Sequence, residues 1–508
     1  MTAPSSPAPS ADGDTAPQGL LDRLLSAFAE VRGGEGVSVL VLFANVFLIL
    51  TAYYVLKVVR EALTIGGIEL FGFAGDEIKA YLPAVMMVLL IGIVPAYGKL
   101  VSAVSRLQLL NLTMAFTMTT LVGFWFWGTT AGVGTAIGLS FYVYLGIVNV
   151  FLVAQFWSFA NDVYTEAQGQ RLFAIIALGQ SMGAVLGPRI AAFGTDRIFD
   201  LLLISAGLFG ACLALYHVSN RLAPGEPEAA SEEDAASEDA DAAAKARDSS
   251  EQSGFGLVLR KPYLLLIALM ILVSNVVNTT GEYILANAAK RHAEATVAEL
   301  TPNHEAEVAE AVRLRLAEAP GLDPVVVREE ARASLLKLER SSEIGAFYGR
   351  FFFWVNLIGV FTQMFLVSRI LKFAGIRAAL FALPLVAFGG YLAIALTSSL
   401  VVLRVAKTAE NSLDYSLQNT LKQALFLPTT RDEKYKAKAA IDTFFVRLGD
   451  TLSAAIVFVG LNVLGFGAAA FAWLNVGMIG LWIGLSTGIA RQHRALTEPD
   501  AAPPGAGD

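Results

Sequence analysis

The sequence predicts an all-α polytopic membrane protein with about twelve transmembrane helices in two six-helix halves. Its 508 residues are 55% hydrophobic and only 16% charged, whereas a soluble domain carries about 25% charged residues. Long apolar stretches hold no charge, and a few loops hold most of it. Membrane proteins distribute charge in this way, because an ionised group in hydrocarbon is costly. The composition therefore argues against a soluble enzyme.

Twelve runs of the sequence are apolar enough to form a span of about 20 residues. They lie at 37–58, 80–98, 108–128, 134–158, 172–195, 199–217, 262–283, 351–368, 378–397, 399–418, 440–464 and 468–490. The tenth run is the least hydrophobic, since it carries Arg404, Lys407, Glu410 and Asp414.

The charges of the connecting loops predict the orientation of these spans. Lysine and arginine concentrate in the even-numbered connections and beside both termini, while the connections at 129–133, 398 and 465–467 carry neither. Cytoplasmic loops hold the excess of these residues. Both termini are therefore predicted to be cytoplasmic, which requires an even number of spans. Two outer connections, 59–79 and 284–350, carry charge and break the pattern.

An acidic stretch rich in Ala and Ser divides the chain near its middle. This composition is typical of a disordered connector. We predict a cytoplasmic tail with a short amphipathic helix at 1–36, a six-helix half at 37–217, a cytoplasmic linker at 218–260, a second six-helix half at 261–490 and a cytoplasmic tail at 491–508. Six spans, a linker and six spans is a major-facilitator-like layout, in which the halves rock about a site at the bilayer midplane.

The second half contains a charged insertion at 290–345. Its Ala, Glu, Arg and Leu residues recur at helical spacing, which predicts one or two helices outside the membrane. Asp323 followed by Pro324 is typical of a helix start. Two interpretations remain open for this insertion: a tolerated surface segment, or a cap over the outer mouth that also offers a surface to a partner.

Motifs of soluble enzymes are absent from the sequence. It has no P-loop, no GxSxG and no HExxH, and its four histidines are scattered without metal-ligand spacing. We expect no cofactor and no bound metal. Gly179, Gly183 and Gly187 recur at every fourth position of the fifth span, a pattern that favours close helix packing over a phosphate loop.

Ionisable residues inside or beside the spans are the candidate functional residues, because each requires a partner, water or a substrate. They are Lys57, Arg60 and Glu61 after the first span, Glu282 at the end of the seventh, Lys407, Glu410 and Asp414 beside Asn411 in the tenth, and Arg447 and Asp450 in the eleventh. The first three can share one helix face. Arg447 and Asp450 are three residues apart, so a closed structural ion pair remains an alternative. Several cations beside a cavity indicate an anionic, phosphate-bearing substrate.

Five stretches resemble the nucleotide transporter family of plastids and obligate intracellular bacteria, the ATP/ADP translocase type. They are LKVVREAL at 56–63, FWSFANDVYTEAQGQRLFAIIALG at 156–179, KPYLLLIALMILVSNVVNTTGEY at 261–283, DYSLQNTLKQALFLP at 414–428 and KYKAKAAID at 434–442. The last is the most specific, since it is similar to a Lys-x-Lys-x-Lys-Ala-Ala-Ile-Asp core. The resemblance spans both halves and excludes the linker, the tails and 290–345.

The resemblance implies a carrier in a bacterial inner membrane that exchanges nucleotides of the ATP/ADP type, or related phosphorylated anions, by alternating access. It adds Lys79 and Lys438 to the candidates. We predict substrate contacts from Lys57, Arg60, Lys79, Glu282, Lys407, Lys438 and Arg447, and a counter-ion or coupling role for Glu61 and Asp450.

Two other functions are compatible with the sequence. One is a proton-coupled symporter of an organic anion, with Glu282 or Asp450 as the proton site. The other is a membrane scaffold or sensor without transport activity, in which the helices at 290–345 form the functional part. We expect the lipid bilayer and a phosphorylated small molecule as partners, no nucleic acid, and a monomer.

Overall fold

The computed structural model describes residue 19 and residues 22–23, 31–222, 254–300, 305–397, 399–430 and 437–497. Most of the predicted tail at 1–36, with most of its amphipathic helix, lies outside these ranges. So do residues 498–508 of the predicted tail at 491–508 and most of the linker at 218–260. The segment boundaries that depend on them stay predictions.

Six long helices form the first half of the chain. They are α1 Gly36–Gly67, α2 Gly75–Ala103, α3 Arg106–Ala131, α4 Thr135–Val163, α5 Glu166–Phe193 and α6 Asp200–Leu222. A short antiparallel hairpin, β1 Glu69–Leu70 and β2 Phe73–Ala74, joins α1 to α2. The N-terminal turns of α3 and α5 are fixed by capping boxes, in which Ser105 pairs with Gln108 and Thr165 with Gln168.

The second half is also helical, but its helices are more interrupted. They are α7 Gly254–Arg260, α8 Pro262–Leu300, α9 Glu305–Glu318, α10 Pro324–Phe361, α11 Ser368–Phe373, α12 Gly375–Ala379, α13 Ala382–Thr397, α14 Leu400–Leu413, α15 Asn419–Ala424, α16 Lys438–Ala440, α17 Val446–Asn462 and α18 Ala468–Thr497. Three π-helical segments join α10 to α11, α14 to α15 and α16 to α17: Thr362–Val367, Asp414–Gln418 and Ile441–Phe445. Such segments are frequent at functional sites.

Within the described ranges, 10 helices are long and apolar enough to cross a membrane. The predicted fold class is therefore confirmed. The other two predicted spans, 399–418 and 440–464, correspond to continuous helical rods that run from α14 through α15 and from α16 through α17. Both rods exceed the length of a span, but they are divided by π turns and carry charged residues. The number twelve stays a prediction.

The glycine stripe of the fifth span lies on α5 and packs against α1. A Cβ atom on Gly179, Gly183 or Gly187 would come within 2.6, 2.3 and 2.5 Å of backbone carbonyl oxygens of α1. Only glycine allows the two helices to approach this closely. The structure confirms the packing interpretation and assigns no phosphate-loop role to these residues.

The two halves meet in a symmetric manner. The second long helix of the second half, α10, packs against α1 and α5, while α2 packs against α8 and α17. The second span of each half thus contacts the fifth span of the other. This exchange of equivalent helices is the arrangement expected of two repeats related by a pseudo-two-fold axis.

The two charged connections that break the loop pattern contact each other at one end of the bundle. Lys290 of α8 lies 3.1 Å from Asp76 of α2. Arg340 of α10 donates to the carbonyl oxygen of Gly66 at 2.7 Å, and its guanidinium also lies 3.8 Å from Glu69. Charges in both loops therefore neutralise one another across the halves, and this end, predicted to be the outer one, is closed.

The insertion at 290–345 is largely an extension of two spans. Helix α8 continues to Leu300, and α10 begins at Pro324, well before its apolar part. Asp323 caps α10 by accepting a hydrogen bond from the Val325 backbone amide at 2.9 Å, so the predicted helix start is confirmed. Through Arg340, the insertion takes part in the contacts between the two halves at this end of the bundle.

Candidate functional site

A chain of six ionisable side chains of alternating sign crosses the centre of the protein. Its members, which we name the charge cluster, are Arg60, Glu61, Lys79, Glu282, Lys407 and Glu410. The first three come from the first half, and the last three from the second. Arg60, Glu61, Lys79 and Glu282 lie at or just beyond the ends of apolar runs, whereas Lys407 and Glu410 lie within the tenth run.

The first half contributes a tight triad. Glu61 is 2% exposed, and its two carboxylate oxygens lie 2.6 Å from an Arg60 nitrogen and 2.7 Å from the Lys79 ammonium. A buried carboxylate requires such partners, because its desolvation is otherwise uncompensated. The Arg60 Nε atom is buried and has no hydrogen-bond partner among the described residues. It is available to a further acceptor.

The second half contributes a mirror arrangement. Lys407 is 0% exposed, and its ammonium lies 3.0 Å from Glu410 and 3.8 Å from Glu282. It also donates to the Asn278 side-chain oxygen at 3.1 Å. The Tyr391 hydroxyl lies 3.1 Å from Glu410 and can donate to it. The partners of this lysine therefore come from α8 and from its own helix α14, and Tyr391 of α13 holds one of them, Glu410.

Lys79 and Glu282 connect the two halves. The Lys79 ammonium lies 3.6 Å from a Glu282 oxygen and 3.2 Å from the Tyr348 hydroxyl of α10. Glu282 in turn accepts a hydrogen bond from the Asn411 amide at 3.0 Å. Any change that separates the halves at this depth must break the contacts of Lys79 with Glu282 and Tyr348.

Lys57 stands apart from the ion pairs. Its ammonium lies 4.2, 5.2 and 5.9 Å from the ring centroids of Phe352, Tyr54 and Tyr415, where ring quadrupoles stabilise a cation. Within the described ranges, no carboxylate lies within 4.0 Å of it. Together, Lys57 and the charge cluster comprise four cations and three carboxylates. Among the described residues, Lys57 is the cation of this group that has no carboxylate partner.

Three of the predicted site residues, Lys438, Arg447 and Asp450, lie outside the charge cluster. Lys438 donates a hydrogen bond to Gln423 and lies 6.0 Å from the Phe426 ring, at the junction of α15 and α16. Arg447 lies 3.4 Å from Asp450, which also accepts from the Asn275 amide at 2.7 Å. That pair links α17 to α8 and has the geometry of the closed alternative. The described contacts place neither group in the charge cluster.

The sequence analysis gave some contributors to the site no role. Glu410 was noted beside Lys407 but was not assigned as its partner, although it lies one helical turn away. Tyr348, Tyr391 and the aromatic rings around Lys57 carry no comparable signal, since aromatic residues at helical spacing are common throughout a membrane protein. Only the packing of α10 and α13 against α1 and α8 identifies them.

No family model matches the chain, but known proteins do. The sequence is 22% identical to ADP,ATP carrier protein 1 of Chlamydia muridarum over 397 residues, which cover 70% of this chain and 64% of the relative. It is also 22% identical to the protein of that name from Chlamydia trachomatis, over 59% of this chain and 54% of the relative. The predicted resemblance to nucleotide carriers is confirmed. The match spans less than two thirds of either relative.

Solved structures share the fold. A bacterial homologue of the human lysosomal transporter Spinster, in an inward-facing and unoccupied conformation, matches with a TM-score of 0.51 and 13% identity over 92% of this chain and 99% of that one. A peptide transporter in complex with sulfate matches with a TM-score of 0.53 and 13% identity, over 89% and 95%. The predicted major-facilitator-like fold is confirmed. The two sequence relatives are named as carriers, which supports a transporter rather than an enzyme.

Proposed function

We propose that the protein is a carrier that exchanges nucleotides, or related phosphorylated anions, across a bacterial inner membrane by alternating access. One observation supports this most strongly: a net positive site at the junction of the two halves, built from the charge cluster and Lys57. We further propose that both termini are cytoplasmic and that the carrier works as a monomer.

The geometry suggests how substrate binding would drive the change between states. A phosphate group entering the site would meet Lys57, whose ammonium has no carboxylate partner, and the free Nε of Arg60. It would then compete with Glu61 and Glu282 for the Lys79 ammonium, because charge-assisted contacts to phosphate are strong. Loss of the link between Lys79 and Glu282 would free the halves to move.

The same contacts explain why exchange is favoured over net transport. Without an anion, Lys79 is held between Glu61 of the first half and Glu282 of the second. An empty carrier must break this link with nothing to replace it, whereas a loaded carrier replaces it with the substrate. The return step is therefore faster when a second anion is carried.

Counterflow in proteoliposomes tests the proposal. Uptake of labelled ATP and ADP is to be measured into vesicles that are empty or preloaded with unlabelled nucleotide, without a pH gradient. We expect uptake only into the preloaded vesicles. Uptake into empty vesicles that depends on a pH gradient would favour the proton-coupled symporter. Absence of flux for a full panel of nucleotides and organic phosphates would contradict a carrier of this class.

The closed outer end provides a separate prediction about alternating access. A Cβ atom on Gly66 would lie 3.1 Å from the Ser341 Cβ and 2.9 Å from its Cα, closer than in a relaxed disulfide, so the two helices must move slightly apart to accept a bridge. In a Cys212→Ser background, the variant with Gly66→Cys and Ser341→Cys is expected to cross-link on oxidation and to lose exchange. Reduction of the disulfide should restore exchange. Full exchange by completely cross-linked protein would contradict opening at this end.

A further inference from the structure

A cavity of the second half is lined by residues outside the charge cluster. It has a volume of about 500 Å³ and is bounded by the outer ends of α8, α13, α14 and α18. Arg291 and His292 line it near the end of the bundle, together with Ser399, while Ile284, Ile394 and Leu403 line it elsewhere. Neither the proposed transport nor the charge cluster uses any of these six residues.

The lining changes from polar to apolar with depth. On α8, Ile284 precedes Arg291 by seven residues, which places it about 10 Å farther along the helix axis. On α14, Leu403 lies one turn inside Ser399. The polar residues therefore sit where α13 ends and α14 and α18 begin, which is the boundary of the spans. The apolar residues Ile284, Ile394 and Leu403 lie deeper and are 1%, 4% and 4% exposed.

The polar end of the cavity is electropositive. Among the described residues, no carboxylate lies within 4.0 Å of Arg291, which is exposed. Helix α14 begins beside it at Leu400, and Ser399 makes no side-chain cap. Gly467 and Ala468, at the start of α18, line the cavity as well. Uncapped amide groups at helix starts add partial positive charge to that of the guanidinium.

We propose that this cavity binds a phospholipid of the surrounding bilayer. The phosphate would lie against Arg291 and the starts of α14 and α18, and one acyl chain would enter the apolar part between Ile284, Ile394 and Leu403. A basic pocket between membrane helices at the level of the head groups is the kind of site that recognises lipid phosphates. The proposal does not depend on the transported substrate.

The test uses the full-length protein in vesicles that contain a phospholipid with a photoreactive acyl chain. Labelling of peptides that contain 284–292 or 394–403 is to be quantified by mass spectrometry. Arg291→Gln is expected to reduce labelling about tenfold, the factor that one charge-assisted hydrogen bond contributes. Leu403→Trp, which fills the apolar part, should reduce it as well. Arg332→Gln, on an exposed face of α10, is the matched control and should leave labelling unchanged.

Two outcomes would overturn the proposal. One is equal labelling of these peptides in the wild type, Arg291→Gln and Leu403→Trp, which would show general contact with lipid. The other is displacement of the label by excess inorganic phosphate, which would indicate a site for a free anion. Under the proposal, inorganic phosphate does not displace the lipid, because the acyl chain contributes to binding.

Discussion

Replacement of Lys407 by methionine is expected to lower the free energy of unfolding by about 3–5 kcal/mol, the usual cost of removing one partner from a buried ion pair. The side chain is 0% exposed, and it neutralises Glu410 at 3.0 Å and Glu282 at 3.8 Å. Methionine has a similar length, so little cavity forms. The loss comes instead mainly from Glu410, which is 6% exposed and remains buried without a cation, while the partly exposed Glu282 keeps Lys79 at 3.6 Å. Denaturant titration of the purified protein in detergent measures the change.

A second substitution separates the loss of charge balance from the loss of packing. Glu410→Gln added to Lys407→Met removes this unpaired charge, while the amide can still accept a hydrogen bond from Tyr391. This double variant is expected to recover a large part of the lost stability. Lys372→Met, at an exposed position of α11, is the matched control and should change stability little. A Lys407→Met variant as stable as that control would contradict the buried ion pair.

Glu282→Gln is expected to slow exchange by about 10- to 100-fold while substrate binding persists. The amide keeps the shape of the side chain but removes the charge that holds Lys79 across the halves at 3.6 Å. Loss of a charge-assisted contact of about 1.5–3 kcal/mol corresponds to one or two decades in rate. Without this carboxylate, the side chain at position 282 no longer competes with the bound phosphate for Lys79, so release of the substrate, which every exchange cycle requires, becomes slower.

The measurement is the initial rate of nucleotide counterflow, alongside equilibrium binding to the same purified variant. Glu307→Gln, on the exposed face of α9, is the matched control and should behave as the wild type. A loss of binding equal to the loss of rate would show that Glu282 acts in substrate recognition itself. Unchanged exchange would remove Glu282 from the transport cycle.

The spans and the halves could be predicted because they depend on local composition. A run of about 20 apolar residues indicates a membrane helix whatever its neighbours are. The spacing of the glycines of α5 likewise indicates a close contact with another helix. The tenth and eleventh spans were harder to delimit. Their charged residues contact other helices inside the protein, and the sequence does not show which residues form those contacts.

The candidate site was predicted in part. Spacing placed Lys57, Arg60 and Glu61 on one helix, but it could not show that Arg60 pairs with Glu61 while Lys57 lies among aromatic rings. Those different environments arise from α2 and α10, which are distant in sequence. The prediction for Lys438 followed a motif, and a motif does not fix the depth of a side chain. Its role in binding, like that of the other candidates, stays a prediction.

The central claim is that an anionic substrate binds at the junction of the halves, and Lys57 tests it most directly. Equilibrium binding of ATP and ADP is to be compared between the wild type, Lys57→Gln and Lys372→Gln. We predict affinity about 10- to 100-fold lower for Lys57→Gln, because one charge-assisted phosphate contact contributes about 1.5–3 kcal/mol. The Lys372→Gln control should match the wild type. Wild-type affinity in the Lys57→Gln variant, for every phosphorylated ligand that the protein binds, would contradict the assignment.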